Sequence, residues 1–161
     1  MMTSLQQLAD RSAITDLVAR LGRMLDSKNF DDAHSILAPD VTVRTPGGTA
    51  GGVDAVIAQA RRNHTVRTQH MISDVLVDLD GDRADVGANL LVTFVPDSEG
   101  PEARLTLDDA DVPDARLTLG ERYRFTAARG DDGWRLRSIE VDRVWSTQPV
   151  PARARVAAGG G

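Results

Sequence analysis

The sequence predicts an α+β domain in which three helices precede a strongly curved, mostly antiparallel sheet and close it into a cone-shaped barrel. Three observations carry this. Apolar residues in the first sixty positions recur at spacings of three and four, the period of an amphipathic helix. After Asn63 the period changes to two, that of strands with one buried face. Two tight turn signals, Asp80-Gly81-Asp82 and Arg129-Gly130-Asp131-Asp132-Gly133, cut the strand region into hairpins. Helices segregated on one face of a sheet define the α+β class, and strand bulges supply curvature.

Taken in order, Ser4-x-x-Gln7 forms a capping box ahead of a long first helix. Leu5, Leu8, Ile14, Leu17, Val18, Leu21 and Leu25 make its apolar stripe, with Gly22 inside it as a point of close packing. Asp26 lies where that stripe runs out, at a helix end whose dipole favours cations rather than acids. Asn29 is placed to cap a second helix, Phe30 to Leu37, which Pro39 stops. Val41 to Arg44 reads as a short strand, Thr45 to Gly48 as a loop, and Val53 to Arg62 as a third helix. Strands follow over Gln69–Leu79, Arg83–Val95, Leu117–Ala128 and Trp134–Trp145. In the last of these, Trp134 and Leu136 occupy one parity and Ile139, Val141, Arg143 and Trp145 the other. A bulge near Arg137-Ser138 accounts for the switch. Residues 96–116 are acidic and read as a loop; the segment at 103–107 repeats at 115–119, which would let the copies pair as a small strand extension.

At 161 residues with net charge -5, the chain reads as one domain, 1–147, followed by a tail, 148–161, expected to be disordered. It has no eighteen-residue apolar run and no basic, apolar leader, so neither a membrane span nor a signal peptide is expected. The absence of cysteine excludes disulfides and thiolate chemistry and fits a cytoplasmic location. The acidic balance argues against nucleic acid. Three scattered histidines lack metal-ligand spacing, and there is no phosphate loop, dinucleotide fingerprint or serine elbow, so no metal and no cofactor are expected.

The candidate site residues come from strand faces. A two-residue turn at Gly81-Asp82 pairs Asp80 with Arg83, which sets Asp74 opposite Asn89 and His70 opposite Thr93. Met71, Val75, Val77, Val86, Ala88, Leu90 and Val92 then form an apolar face. His70, Asp74 and Asn89 share the other with Ile72, Leu76 and Leu91. That mix suits a ligand cavity and equally an edge facing water. Arg143, on a face with Val141 and Trp145, is placed either to hold a substrate carboxylate or enolate oxygen or to lie on the surface over tryptophan. Tyr123, alternating with Phe125, is a phenol donor or a core residue. His34 and His64 read as exposed.

These blocks resemble the SnoaL-like branch of the nuclear transport factor two-like superfamily, over roughly residues 5–147. The resemblance rests on LADRSAITDLVARLGRMLDSKNFDDAHSILAPDV, GVDAVIAQARRN, TQHMISDVLVDLDGDRADV and GWRLRSIEVDRVW. It implies a cone-like barrel whose open end takes a small, mostly apolar molecule, and homodimers through the outer sheet face, with trimers in some members. In members similar to scytalone dehydratase and bile-acid dehydratase, an Asp ending the first helix and a His early in the strand after the third act as acid and base. Asp26 and His70 match those positions. The tyrosine such enzymes carry near the Asp is replaced here by Met24 and Leu25, and the second titratable group on the next strand by Ala88 and Asn89.

The resemblance therefore implies a cofactor-independent dehydratase, isomerase or polyketide-cyclase-like enzyme acting on a hydrophobic, oxygenated compound of polyketide or steroid-like kind. Asp26 and His70 are its expected catalytic pair, and Asn89, Arg143, Tyr123, Asp74 and Trp145 its expected substrate contacts. The alternatives are a non-catalytic small-molecule-binding module on the same fold, and an interaction protein whose cone is filled by its own side chains.

Overall fold

A computed structural model describes residues 4–97, 104–107, 110–113 and 116–148. The expected tail lies outside these from residue 149 on, as do 98–103, 108–109 and 114–115 of the acidic segment. Helices α1 (Leu5–Ser27), α2 (Ala33–Ile36) and α3 (Val53–Asn63) pack on one six-stranded sheet. Its strands are β1 (Leu37–Thr45), β2 (Gly48–Gly51), β3 (Arg67–Asp80), β4 (Arg83–Val95), β7 (Leu117–Gly130) and β8 (Gly133–Ser146). A separate two-stranded hairpin pairs β5 (Arg104–Leu107) with β6 (Ala110–Pro113). The order across the large sheet is β2-β1-β8-β7-β4-β3; β1 runs parallel to β8 and every other pair is antiparallel. The curved sheet is open, its gap covered by helices, so the cone is not a closed barrel. Among the described residues no helix is long and apolar enough to cross a membrane.

The capping box is present: the Gln7 N–H donates to Ser4 Oγ and the Ser4 N–H donates to Gln7 Oε1, both at 3.1 Å. Ile14, Leu17, Val18, Leu21 and Leu25 are buried as expected, whereas Leu5 and Leu8 are 86% and 54% exposed. The helix meets the sheet only from Asp10 onward. The Asp10 carboxylate is buried there and accepts from Trp134 Nε1–H at 3.1 Å and from the Arg129 guanidinium at 2.5 Å. At the other end Lys28, in the left-handed conformation with φ 61°, stops the helix.

Local expectations fail around residues 29–51. Asn29 makes no capping bond. The second helix is a single 3-10 turn over Phe30–Asp32 followed by the four residues of α2. The chain is already extended at Leu37, which pairs with Leu136 of β8, so Pro39 lies within a strand rather than ending a helix. The expected loop before Gly48 is a tight turn into β2. The 103–107 and 115–119 copies do not pair with each other: Arg104–Leu107 pairs with Ala110–Pro113, and Leu117 onward pairs with β4.

Three one-residue bulges decide which side chains face the cone. The bulge at Arg137 lets Ala127 pair with Leu136 and Thr126 with Ser138, as the parity switch required. A second, at Val144, lets Glu121 pair with Arg143 and Gly120 with Trp145. A third falls at Asp74-Val75: Ser73 pairs with Asn89 but Leu76 with Gly87, and Asp74 adopts φ 53°. An extra residue shifts everything beyond it to the opposite face. The turn pairs Asp80 with Arg83 as expected, yet past the bulge His70 stands opposite Val92, not Thr93. His70 and Ile72 therefore join Val77, Val86, Ala88, Leu90 and Val92 on the inner face. Asp74, Asn89, Met71, Leu76 and Leu91 lie outside.

Gly22 sets the spacing between α1 and β3. A Cβ there would stand 3.1 Å from Ile72 Cδ1 and 3.5 Å from His70 Cβ. The Ile72 methyl is a movable side-chain end, and alanine gains about 1 kcal/mol of helix propensity over glycine. Gly22→Ala should therefore stay within about 1 kcal/mol of the wild type in urea unfolding. Gly22→Val, whose branches press on β3, should lose about 1–3 kcal/mol.

Candidate active site

The cone holds a cavity of about 130 Å³. Most of its wall is apolar, built from Leu21, Met24 and Leu25 of α1, Ile57 of α3, Leu90, Val92 and Phe94 of β4, and Leu119 of β7. Into this wall are set His64, His70, Glu121, Tyr123 and Arg143. A mostly apolar cleft with a few polar groups is the usual form of a small-molecule site.

Asp26 and His70 meet. His70 Nδ1 lies 2.6 Å from Asp26 Oδ1, and the imidazole is almost wholly buried, at 3% exposure. The contact follows from packing: Asp26 is one helical turn beyond Gly22, where α1 comes closest to β3. The same carboxylate accepts from the His70 backbone N–H at 2.9 and 3.1 Å and from the Thr68 hydroxyl at 3.0 Å. Burial pushes the Asp26 carboxyl up, but the bonds from the His70 ring, the His70 N–H and Thr68 outweigh it and leave it below its ordinary value. These strand donors are what the acid gains in exchange for an unfavourable position at a helix C-terminus. An ionised Asp26 is acceptor-only, so neutral His70 must carry its proton on Nδ1, which leaves Nε2 with a free lone pair. His70 lines the cavity and Asp26 stands behind it.

The other expected contacts divide by face. Arg143 and Tyr123 line the cavity. Asp74 and Asn89 do not: on the outer face, Asn89 Nδ2–H donates to Asp74 Oδ2 at 2.8 Å. Trp145 is likewise outside, lying over Gly120, where a Cβ would collide with its indole. The Val144 bulge separates it from Arg143.

Two cavity residues escaped sequence reasoning. Glu121 is 8% exposed and accepts from Arg143 Nε–H at 3.4 Å. Its signal was available, since Leu119, Glu121, Tyr123 and Phe125 share one parity and all turn inward. His64, read as exposed, follows α3 and packs its ring 5.4 Å from that of His70 and 6.1 Å from that of Phe94. No local pattern reveals this, because only the docking of α3 brings it there. His64 Nδ1 is 3.1 Å from the Ala60 carbonyl, so Nδ1–H donates. Burial, and next the charge of His70, push His64 from 6.5 down to about 4. Among the described residues no group of three or more His, Cys, Asp or Glu is placed to hold a metal ion.

A neutral His64 makes stability depend on pH. Between pH 4 and 6.5 the unfolded chain protonates His64 and the folded chain does not. Stability should therefore fall as pH drops through that window, by up to about 3 kcal/mol at 1.36 kcal/mol per unit. Asp26, held low, contributes stability above its ordinary value of 3.8 that is lost only as pH falls below it, a separate window. Urea unfolding at pH 7 and 4.5 should show most of the first loss gone in His64→Phe; an unchanged loss would contradict the neutral, buried imidazole.

Comparison with known proteins accords with this architecture. A search of curated proteins finds no match. Among solved structures, a Kribbella flavida protein, Kfla4162, superposes with TM-score 0.74 at 22% identity, covering 86% of this chain and 93% of its own. A type 2 hexachlorocyclohexane dehydrochlorinase superposes with TM-score 0.76 at 17% identity, covering 92% and 94%. A candidate scytalone dehydratase of Novosphingobium aromaticivorans gives 0.73 at 20%, covering 95% and 97%. These likenesses show the cone-shaped α+β fold. Residues 6–140 match the SnoaL-like domain family, and the chain belongs to that family.

Proposed function

We propose that the protein is a cofactor-independent acid/base enzyme, a lyase, isomerase or cyclase, acting on a hydrophobic, oxygenated small molecule. The observation that carries this reading is the 2.6 Å contact between Asp26 and His70 behind an apolar cavity wall. His70 Nε2 takes a proton from a carbon beside a carbonyl. Asp26, its positioning residue, stabilises the imidazolium that results. The electron pair left on carbon then expels a β-hydroxyl as water with the returning proton, shifts a double bond, or closes a ring on a second carbonyl. Tyr123 and Arg143, on the far wall, are donors for an oxygen at the other end of the substrate. Burial, with the charges of Glu121 and Asp26, pushes the Tyr123 phenol up, so it remains a neutral O–H donor. The dehydrochlorinase and candidate dehydratase among the similar folds carry names in the elimination class, which agrees with this chemistry.

A second reading, binding without catalysis, draws on Met24 and Leu25, buried apolar side chains where dehydratase-like members carry a tyrosine.

Proton exchange separates the two readings without knowledge of the substrate. The protein should catalyse deuterium uptake beside the carbonyl of a decalone in D₂O, followed by NMR. His70→Gln and Asp26→Asn should lower that rate roughly 10²- to 10⁴-fold. Asp74→Ala and Asn89→Ala, on the outer face, should leave it unchanged. Exchange no faster than buffer, with the decalone bound, would select the binding reading.

A further inference from the structure

We infer that Glu121 is a specificity residue: it meets the charge of Arg143 inside the cone and so selects uncharged ligands over anionic ones. The ligand class that follows is a neutral ring compound with an oxygen function at each end. The inference rests on the cavity being the ligand site, as proposed above, but not on turnover.

The inner face of the sheet places the groups. Glu121 pairs with Leu90 on β4 and with Arg143 on β8, and Leu90 pairs with Ile72, two residues along β3 from His70. Glu121 is thus two strands from β3, about 10 Å across the sheet at some 4.8 Å per strand. Two polar poles result, separated by the apolar side chains of Leu90, Val92 and Leu119. One is His70 with Asp26 behind it. The other is Glu121 with Arg143, and Tyr123 stands next along β7 on the same face. The Tyr123 side chain is buried on this face.

The electrostatics of the second pole differ from those of a lone arginine. A bare guanidinium in an apolar cavity would attract a carboxylate strongly. Here it reaches the cavity with Glu121 at 3.4 Å. An incoming carboxylate would have to displace or approach that buried acid, and like charges in a desolvated site repel. A hydroxyl meets no such penalty: it can donate to Glu121 and accept from Tyr123 or Arg143. Rejection by a fixed like charge is a common way to build specificity.

Two probes test this with the full chain: a decalone bearing a hydroxyl on its distal ring, and the same decalone bearing a carboxylate there. Titration calorimetry near neutral pH should show wild type binding the hydroxyl compound and binding the carboxylate at least tenfold more weakly. Glu121→Gln should bind the carboxylate at least tenfold more tightly than wild type does. If that variant fails to fold, the double variant Glu121→Gln/Arg143→Gln, lacking both charges, should keep the hydroxyl compound and still bind the carboxylate weakly. Wild type binding both probes equally, or no gain for the carboxylate in Glu121→Gln, would overturn the selectivity and leave the site reading standing. Failure of both probes to bind wild type would overturn the selectivity and the site reading together.

Discussion

The first helix is held on the sheet by two carboxylates, and the geometry of the site depends on them. Asp10 receives the Trp134 indole N–H and the Arg129 guanidinium near one end, and Asp26 receives the His70 ring, the His70 backbone N–H and the Thr68 hydroxyl near the other. They stand sixteen residue steps apart along the helix, about 24 Å at 1.5 Å per residue. Removing one partner from a buried, hydrogen-bonded acid leaves the other uncompensated, so such bonds are expensive to break. Gly22 allows the helix to approach closely enough for the second carboxylate to reach its donors. One packing contact thereby serves both the fold and the orientation of an imidazole.

The sheet contributes by breaking its own regularity. A strand without bulges keeps one parity inside from end to end. In this sheet, extra residues at Asp74-Val75, Arg137 and Val144 each exchange the faces. The first separates His70, inside, from Asp74, outside. The last separates Arg143, inside, from Trp145, outside. Bulges also bend strands, so the same three residues that choose the lining contribute to the curvature that makes a cone of an open sheet.

Inside the cone, charge is compensated where it appears. Asp26 is met by donors of β3, and Arg143 by Glu121. His64 is kept neutral by burial beside His70, since two imidazolium rings 5.4 Å apart in an apolar wall would repel. The result is a weakly polarised cavity in which Asp26 fixes the orientation of the His70 ring. That arrangement favours moving a proton on an otherwise apolar molecule over gripping a charged one.

Much of this was legible along the chain. The helical stripe from Ile14 to Leu25, the capping box, the turn at Gly81-Asp82 and the parity switch at Arg137 are local patterns, with periods that secondary structure imposes on any chain. The pairing of Asp26 with His70 was legible only through resemblance to a family, because the two are 44 positions apart. The faces of Asp74 and Trp145 were not legible. A one-residue bulge leaves no mark on a polar strand until the neighbouring strand sets the register. His64 was hidden for a related reason: a histidine after a helix is exposed or buried according to where that helix docks. The sequence by itself determined the elements, their order and the residue types available for chemistry. Tertiary structure decided which of them share a cavity, because register and docking are set by contacts between segments far apart in the chain.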